Sequence, residues 1–294
     1  MKKKVVVFGG SGFIGSYLVK ELLTRGHQVL VADMKQNQYN KGAEFQFCDI
    51  LIPDQVAAVL TGDIDFVYNL AGFANIDLAS DSPVETFKLN VIGNLNILEV
   101  IKNINISRYI YSSSAYAMND KGSFYGISKL SSEKIIEEYN KKYDVNYTIL
   151  RFGSIYSELD FDNNYIYKIV KDIVTKRKIV HEGDGNEIRE YIHAADSAIM
   201  AADVIESADY VNQYMILTGV ESIRRKDLFE MIEEILGEPF DIDYKNTGYK
   251  NHYKLTPYSF QPTISRKMIA KSYIDIGQGI LECIKNVNKY LHEK

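Results

Sequence analysis

Two cysteines in 294 residues leave little scope for sulfur chemistry. Cys48 and Cys283 lie far apart and form no paired motif, which excludes a disulfide framework and a structural zinc site. Buried thiols in a reducing cytoplasm are the simplest reading, so the expected location is cytoplasmic. No basic block occurs, and the formal charge is −5 with a pI near 5.6, so nucleic acid is not an expected partner. No apolar run is long enough to span a membrane. Lys2-Lys3-Lys4 followed by apolar residues resembles a secretory signal, but that run is short and breaks into Gly9-Gly10. Repeats and low-complexity tracts are also absent. What remains is a globular chain of ordinary composition, long enough for one large domain or two small ones.

Glycine is concentrated near the start. Val5-Val6-Val7-Phe8 is an apolar run with β-branched residues and reads as a buried strand. Gly9-Gly10-Ser11-Gly12-Phe13-Ile14-Gly15 follows at once. From Phe13 to Arg25 the residues Ile14, Tyr17, Leu18, Leu22 and Leu23 recur at helical spacing, and Gly26 ends that helix. Gln28 to Ala32 is a second buried strand, closed by Asp33. Strand, glycine turn, helix, strand and acid together suit a dinucleotide. Glycines let the backbone approach a pyrophosphate, and the helix N-terminus offers it free N–H groups and partial positive charge. The Asp33 carboxylate can accept from both adenosine ribose hydroxyls and would repel a 2′-phosphate. NAD is therefore favoured, with NADP as the minor alternative because Lys35 is near. Two glycine registers fit, Gly10-Gly12-Gly15 and Gly9-Gly12-Gly15.

Farther along, strands and helices alternate. Glu44 to Cys48 reads as a strand, and Asp49-Ile50 beyond it could hold an adenine or could simply turn the chain. Gln55 to Leu60 is helical. Phe66 to Leu70 is a strand followed by Ala71-Gly72, small enough for backbone to lie against a cofactor. Ser82-Pro83 opens a long helix with Phe87, Val91, Leu95 and Leu98 on one face. Asn90 within it is either a solvated position or one that orders the active site. Arg108 to Tyr111 is a strand ending in Ser112-Ser113-Ser114. This alternation predicts an α/β fold with a doubly wound parallel sheet of the Rossmann type. Ligands of such sheets bind beyond the carboxyl ends of the strands, where the glycine loop, Asp33, Asp49, Ala71 and the serines all gather.

Tyr125 and Lys129 come next, four apart and so on one face of a helix that runs to about Lys142. A free phenol has a pKa near ~10. A lysine ammonium and the positive nicotinamide of NAD⁺ both favour the phenolate, which makes tyrosine a usable general base.

These segments resemble the extended short-chain dehydrogenases/reductases, in particular the NAD-dependent nucleotide-sugar epimerases and dehydratases of the UDP-glucose 4-epimerase type. The resemblance covers nearly the whole chain. It implies catalytic roles for Tyr125, Lys129 and Ser114, with Ser113 as the fallback serine. It implies cofactor contacts at Gly9, Gly12, Phe13, Ile14, Gly15, Asp33, Met34, Asp49, Ile50, Leu70, Ala71, Gly72, Asn90, Ser112, Tyr125, Lys129 and Phe152. Leu150 to Tyr156 looks like the family's Arg-Phe-Gly-Asn-Val-Tyr segment, with Ser154 in place of the asparagine that touches the sugar nucleotide. Glu182 to His193 is similar to Gly-Asp-Gly-x-x-x-Arg-Asp-Tyr-Ile-His, whose arginine, Arg189 here, binds the nucleotide diphosphate. Substrate contacts are thus implied at Ser114, Ser154, Val180 and Arg189, and no metal is. A homodimer built on the Pro83–Lys102 and Tyr125–Lys142 helices is implied as well. Residues 1–154 would form the NAD-binding domain, with 192–217 returning to it, and 155–294 a smaller substrate-binding α/β cap.

Two departures from the family stand out. Ser114 and Tyr125 are only eleven positions apart, shorter than the family's usual connection. A wall beside the sugar then shrinks and a larger sugar fits, unless the tyrosine-rich Asn246–Pro262 segment, Tyr258 included, fills the gap. Second, Ala115-Tyr116 stands where 4,6-dehydratases carry Asp-Glu, which argues against a dehydratase. The expected activity is NAD-dependent oxidation of a nucleotide-diphosphate sugar at C4, as a 4-epimerase or a C4 dehydrogenase serving surface-polysaccharide synthesis. Arg189 argues against a reductase of non-sugar molecules. The intact Ser114, Tyr125 and Lys129 argue against a non-catalytic NAD(P)-sensing module.

Overall fold

The computed structural model of the chain describes residues 2–119, 121–245, 252–254 and 265–292. Tyr258 and most of the Asn246–Pro262 segment lie outside the described residues. The first half runs β1 (Lys4–Phe8), α1 (Phe13–Thr24), β2 (Gln28–Asp33), β3 (Glu44–Phe47), α2 (Pro53–Val59), β4 (Phe66–Asn69), α3 (Ile76–Asp81), α4 (Pro83–Phe87), α5 (Gly93–Ile101), β5 (Arg108–Ser114), α6 (Ser123–Tyr143) and β6 (Tyr147–Phe152). The second half runs β7 (Ser154–Tyr156), α7 (Tyr165–Lys176), β8 (Lys178–Glu182), β9 (Ile188–His193), α8 (Ala194–Asp203), β10 (Gln213–Leu217), β11 (Ser222–Arg224), α9 (Arg225–Leu236), β12 (Asp241–Lys245), β13 (Arg266–Lys267) and α10 (Ile276–His292).

Eight strands form one sheet in the order β13-β10-β6-β5-β4-β1-β2-β3, every neighbouring pair parallel. Parallel strands covered on both faces need unbroken apolar runs, and Val5 to Phe8 supply one that is wholly buried. Leu18 and Leu22 of α1 and Met200 of α8 pack on one face, while Val56, Ile97 and Ile136 of α2, α5 and α6 pack on the other. β1 lies between β2 and β4, so the strand order reverses there, and the crevice at the carboxyl ends opens at that point.

Beyond β6 the chain builds smaller layers. β11, β9 and β7 form a three-stranded sheet, β12 pairs with β8, and α7, α9 and α10 enclose a third apolar core. The sequence reading assigned no element between Tyr156 and Glu182. There α7 buries Ile166, Ile169, Val170 and Ile173, an i, i+3, i+4, i+7 stripe. Among the described residues no helix is long and apolar enough to cross a membrane.

The helix expected from Pro83 is interrupted. Lys88–Ile92 form a π turn in which the Gly93 N–H donates to Lys88 O. On the same turn the Asn90 carbonyl accepts from Ser132 Oγ of α6 at 2.7 Å.

Helix α6 is fixed to the sheet by a buried ion pair. Arg151 Nε and Nη2 of β6 donate to the Glu133 carboxylate at 2.9 and 2.7 Å, and Ser113 Oγ of β5 donates to the same carboxylate at 2.6 Å. Glu133 is fully buried and the Arg151 side chain is 8% exposed. Breaking one side of such a pair strands a charge in a medium that solvates it poorly. Glu133→Gln should therefore lower the unfolding free energy by about 3–5 kcal/mol, seen as a lower urea midpoint with an unchanged slope.

Candidate active site

A cavity of about 880 Å³ opens at the carboxyl ends of the large sheet. At one end its wall is the glycine loop with Phe13, Ile14 and Leu70. In the middle it is Gly72, Ser112, Ser113, Ser114, Tyr125 and Lys129. At the other end it is Phe152, Ser154, Val180 and Arg189.

Three of the loop's four glycines, Gly9, Gly12 and Gly15, do different jobs. Gly9 has φ +74°, and a Cβ there would lie 2.5 Å from Ala71 N. A Cβ on Gly15 would lie 2.2 Å from Gly9 O. Both are required by the protein's own backbone. Gly12, the N-cap of α1, has an extended backbone, and its nearest conflict would be Gly9 O at 3.3 Å. Packing alone does not demand glycine there, but it faces the cavity, where a side chain would bar a ligand from the helix N-terminus. The geometry thus singles out the Gly9-Gly12-Gly15 register.

Asp33 ends β2 and accepts from Ser11 N at 3.0 Å, so its carboxylate lies against the glycine loop. Two residues that the sequence reading passed over fasten the same loop. Asn37 Nδ2 donates to Ser11 O at 2.6 Å and to Ser16 Oγ at 2.7 Å, and Asn40 Nδ2 donates to Gly10 O at 3.0 Å. Met34 is exposed. Asp49 Oδ1 accepts from Leu51 N at 2.9 Å, which forms a turn, and Ile50 packs against Gly93. The cavity wall does not include Asp33, Met34, Asp49, Ile50, Ala71 or Asn90.

Asn90 is 1% exposed and bonds within the protein. Its Oδ1 accepts from Phe73 N at 2.7 Å, and its Nδ2 donates to Phe73 O at 3.1 Å and to Ser128 Oγ at 2.9 Å. A Cβ on Gly72 would strike Asn90 Oδ1 at 2.4 Å. Asn90 therefore ties the loop after β4 to α6 and shapes the wall from behind.

Tyr125 and Lys129 lie on the first turns of α6, both nearly buried. Lys129 Nζ donates to Ser112 O at 2.8 Å and lies 5.9 Å from the Tyr125 ring centre. Burial pushes the Lys129 ammonium down to about 8, against the pull of Glu133. Burial pushes the Tyr125 phenol up, while a hydrogen bond from Ser114 draws it down. Ser113, the fallback serine, donates to Glu133, whereas the Ser114 hydroxyl faces the phenol.

At the far end the Arg189 guanidinium lies 4.2 Å from the Tyr253 ring centre. A second buried guanidinium, Arg225 at the start of α9, lies 4.6 Å from the Tyr165 ring centre and also reaches the wall. The sequence reading missed it, since a lone arginine opening an amphipathic helix carries no motif. Aromatic side chains line the cavity beside the short Ser114–Tyr125 connection. Tyr116 from that connection and Tyr253 from the tyrosine-rich segment pack with 4.5 Å between ring centres, both nearly buried against Ala79 and Tyr125.

A profile of the NAD dependent epimerase/dehydratase family matches residues 5–216. The chain belongs to that family. It is 26% identical over 254 residues to a putative UDP-glucose 4-epimerase of Methanocaldococcus jannaschii, a match covering 79% of this chain and 82% of that one. It is 25% identical over 280 residues to UDP-glucuronic acid decarboxylase 1 of Arabidopsis thaliana, covering 86% of this chain and 63% of that one. UDP-glucuronic acid 4-epimerase of Bacillus cereus, solved with UDP-glucuronic acid and NAD, matches in fold with a TM-score of 0.84 at 20% identity, covering 98% of this chain and 99% of that one. UDP-glucose 4-epimerase of Thermotoga maritima, solved with UDP-glucose, gives 0.82 at 23% identity with the same coverage. The Rossmann-type α/β fold expected from the sequence is the fold of these enzymes.

This epimerase/dehydratase family member is an enzyme with NAD as its cofactor. The residues present fit that group: the bare Gly12 at the mouth of α1 leaves room for a pyrophosphate, and the Lys129 ammonium stands farther along the same cavity. Gly12→Ala and Gly15→Ala should separate binding from folding. The first should cost about 1 kcal/mol of stability or less yet weaken NAD binding by calorimetry. The second should lower the melting temperature outright.

Proposed function

We propose that this enzyme oxidises a nucleotide-diphosphate sugar at C4 of the sugar. The observation that carries this is the meeting of Ser114, Tyr125 and Lys129 midway along one cavity, with the glycine loop at one end and Arg189 at the other. Residues 1–154 and 192–217 would hold the cofactor, and 155–294 the substrate.

NAD, when bound, supplies the hydride acceptor. Tyr125 takes the proton of the C4 hydroxyl, and Ser114 hydrogen-bonds the same oxygen and relays that proton. A buried phenol ionises reluctantly, so the phenolate needs a cation beside it, and Lys129 provides one. Arg189 pairs with the diphosphate oxygens, and the neighbouring Arg225 adds positive charge to that end. Return of hydride to the opposite face of the C4 ketone makes the reaction a 4-epimerisation. Release of the ketone makes it a dehydrogenation. Tyr125→Phe should lower turnover by about 10²–10⁴-fold in an NADH-coupled assay with nucleotide sugars, while NAD still binds. Near-normal turnover would remove Tyr125 from the mechanism.

The two buried thiols, Cys48 and Cys283, support a reducing cytoplasmic setting. A homodimer is part of the same proposal. Val84 of α4 and Ile92 of the π turn are exposed, as are Phe124, Ile127 and Leu130 of α6, which packs beside them. Soluble monomers rarely leave such apolar neighbours uncovered. Light scattering at micromolar concentration should give twice the chain mass of 33.5 kDa, and Ile127→Glu should reduce it to the monomer.

A further inference from the structure

Beside Tyr125 the cavity wall carries a second set of proton-handling groups that the C4 step does not use. Tyr116 lies in the 3₁₀ turn Ala115–Met118 after β5, its ring edge-on to Tyr125 with 6.3 Å between centres. Its hydroxyl is 2.7 Å from His252 Nδ1, and His252 Nε2 is 3.1 Å from Asp77 Oδ1. A carboxylate only accepts, so Nε2 carries the proton and Nδ1 accepts from the phenol. Burial, helped by Arg189 and Arg225, holds His252 below the ordinary imidazole range against the opposing pull of Asp77, so the ring is neutral at neutral pH.

The three groups come from distant parts of the chain and meet on one wall. One glycine makes room for the Tyr116 ring, and another for its backbone. A Cβ on Gly122 would lie 2.7 Å from Tyr116 Cδ1, and one on Gly126 would lie 3.0 Å from the Tyr116 backbone carbonyl oxygen. The Asp77 side chain is 75% exposed, so the relay begins in the cavity and ends in solvent.

We infer that Tyr116, positioned by His252 and Asp77, is a second acid–base group that removes and returns a proton on a carbon next to C4 once C4 is a ketone. The inference rests on the C4 oxidation proposed above. A ketone acidifies the hydrogens on C3 and C5, because the electron pair left behind delocalises onto the C4 oxygen. The C–H bond breaks, its proton passes to the Tyr116 oxygen, and the Tyr116 hydroxyl proton passes to His252 Nδ1. The electron pair becomes the carbon–carbon double bond of an enolate whose charge rests on the C4 oxygen. Tyr125, holding the proton it took from the C4 hydroxyl, and Ser114 both donate to that oxygen. Asp77 fixes the imidazole tautomer and stabilises the imidazolium. Reversal places a solvent-derived hydrogen on carbon. Nothing is oxidised or reduced in this step, and no group leaves.

The test is solvent-deuterium incorporation. The enzyme with NAD is incubated in D₂O with UDP-glucose, UDP-glucuronic acid, dTDP-glucose and GDP-mannose. NADH is followed by absorbance, and the sugars are read by NMR and mass spectrometry. Direct hydride transfer at C4 puts no solvent hydrogen on carbon, and loss of CO2 from the glucuronic acid is seen as lost mass, so deuterium at C3 or C5 of a sugar that keeps all its carbons reports this step. The expected result is deuterium at one of those carbons, with the ratio of incorporation to C4 turnover falling about 100-fold or more in Tyr116→Phe. Asp77→Asn, on a side chain that is mostly exposed, should lower the same ratio. NADH or C4 inversion without deuterium overturns the inference and leaves C4 oxidation standing, as does a ratio unchanged in both variants. Neither NADH nor C4 inversion with any of the four sugars overturns C4 oxidation, and this inference with it.

Discussion

The buried pair of Glu133 and Arg151 is the constraint on which the site depends. Glu133 lies one helical turn beyond Lys129, and Lys129 one turn beyond Tyr125, so a single helix carries anchor, cation and base. The anchor grips β6 through Arg151 and β5 through Ser113. β5 in turn carries Ser112 and Ser114, which meet Lys129 and Tyr125. A helix held to its sheet by apolar contacts alone can slide by fractions of an ångström at little cost. A bidentate guanidinium–carboxylate pair has one satisfactory geometry. Such a pair is a poor source of net stability because of its desolvation. Its value here is registry: it sets the depth at which a phenol and a hydroxyl face each other.

The two ends of the cavity are built on different principles. The cofactor end is mostly backbone: a bare glycine at a helix mouth, with asparagine side chains bracing the loop from outside. The substrate end is mostly long side chains, with guanidinium groups over tyrosine rings drawn from four separate stretches of the chain. Backbone recognition suits a ligand that never varies. Side-chain recognition suits one that differs between members of a family, since each contact can change without disturbing the sheet.

This division explains what could be read from the sequence. Strand, glycine loop, helix and acid are contiguous, so their arrangement follows from local pattern. The Tyr125–Lys129 spacing and the serine-ended strand are equally local. What escaped notice depends on pairings between remote positions. Asn37 and Asn40 look like turn residues until they are found against Ser11 and Gly10. The two candidate serines differ only because Glu133, nineteen positions past Ser114, claims the hydroxyl of the other. The short connection suggested an open wall, since chain length is visible in a sequence and the packing of Tyr116 on Tyr253 is not. Helix α7 carried a clear apolar stripe, but it lay between two segments whose motifs drew the reading away.

The π turn at Lys88–Ile92 constrains the length of the chain as well as its geometry. It holds one residue more than regular winding on either side would need. Deleting any single residue there would restore regular winding and swing everything on one side by about 100° relative to the other. Asn90 would turn away from Phe73 and Ser128, or α5 would turn its apolar face out of the sheet. Neither half could adapt alone. The surplus residue is therefore locked in place, and the length of this turn is set from both sides at once.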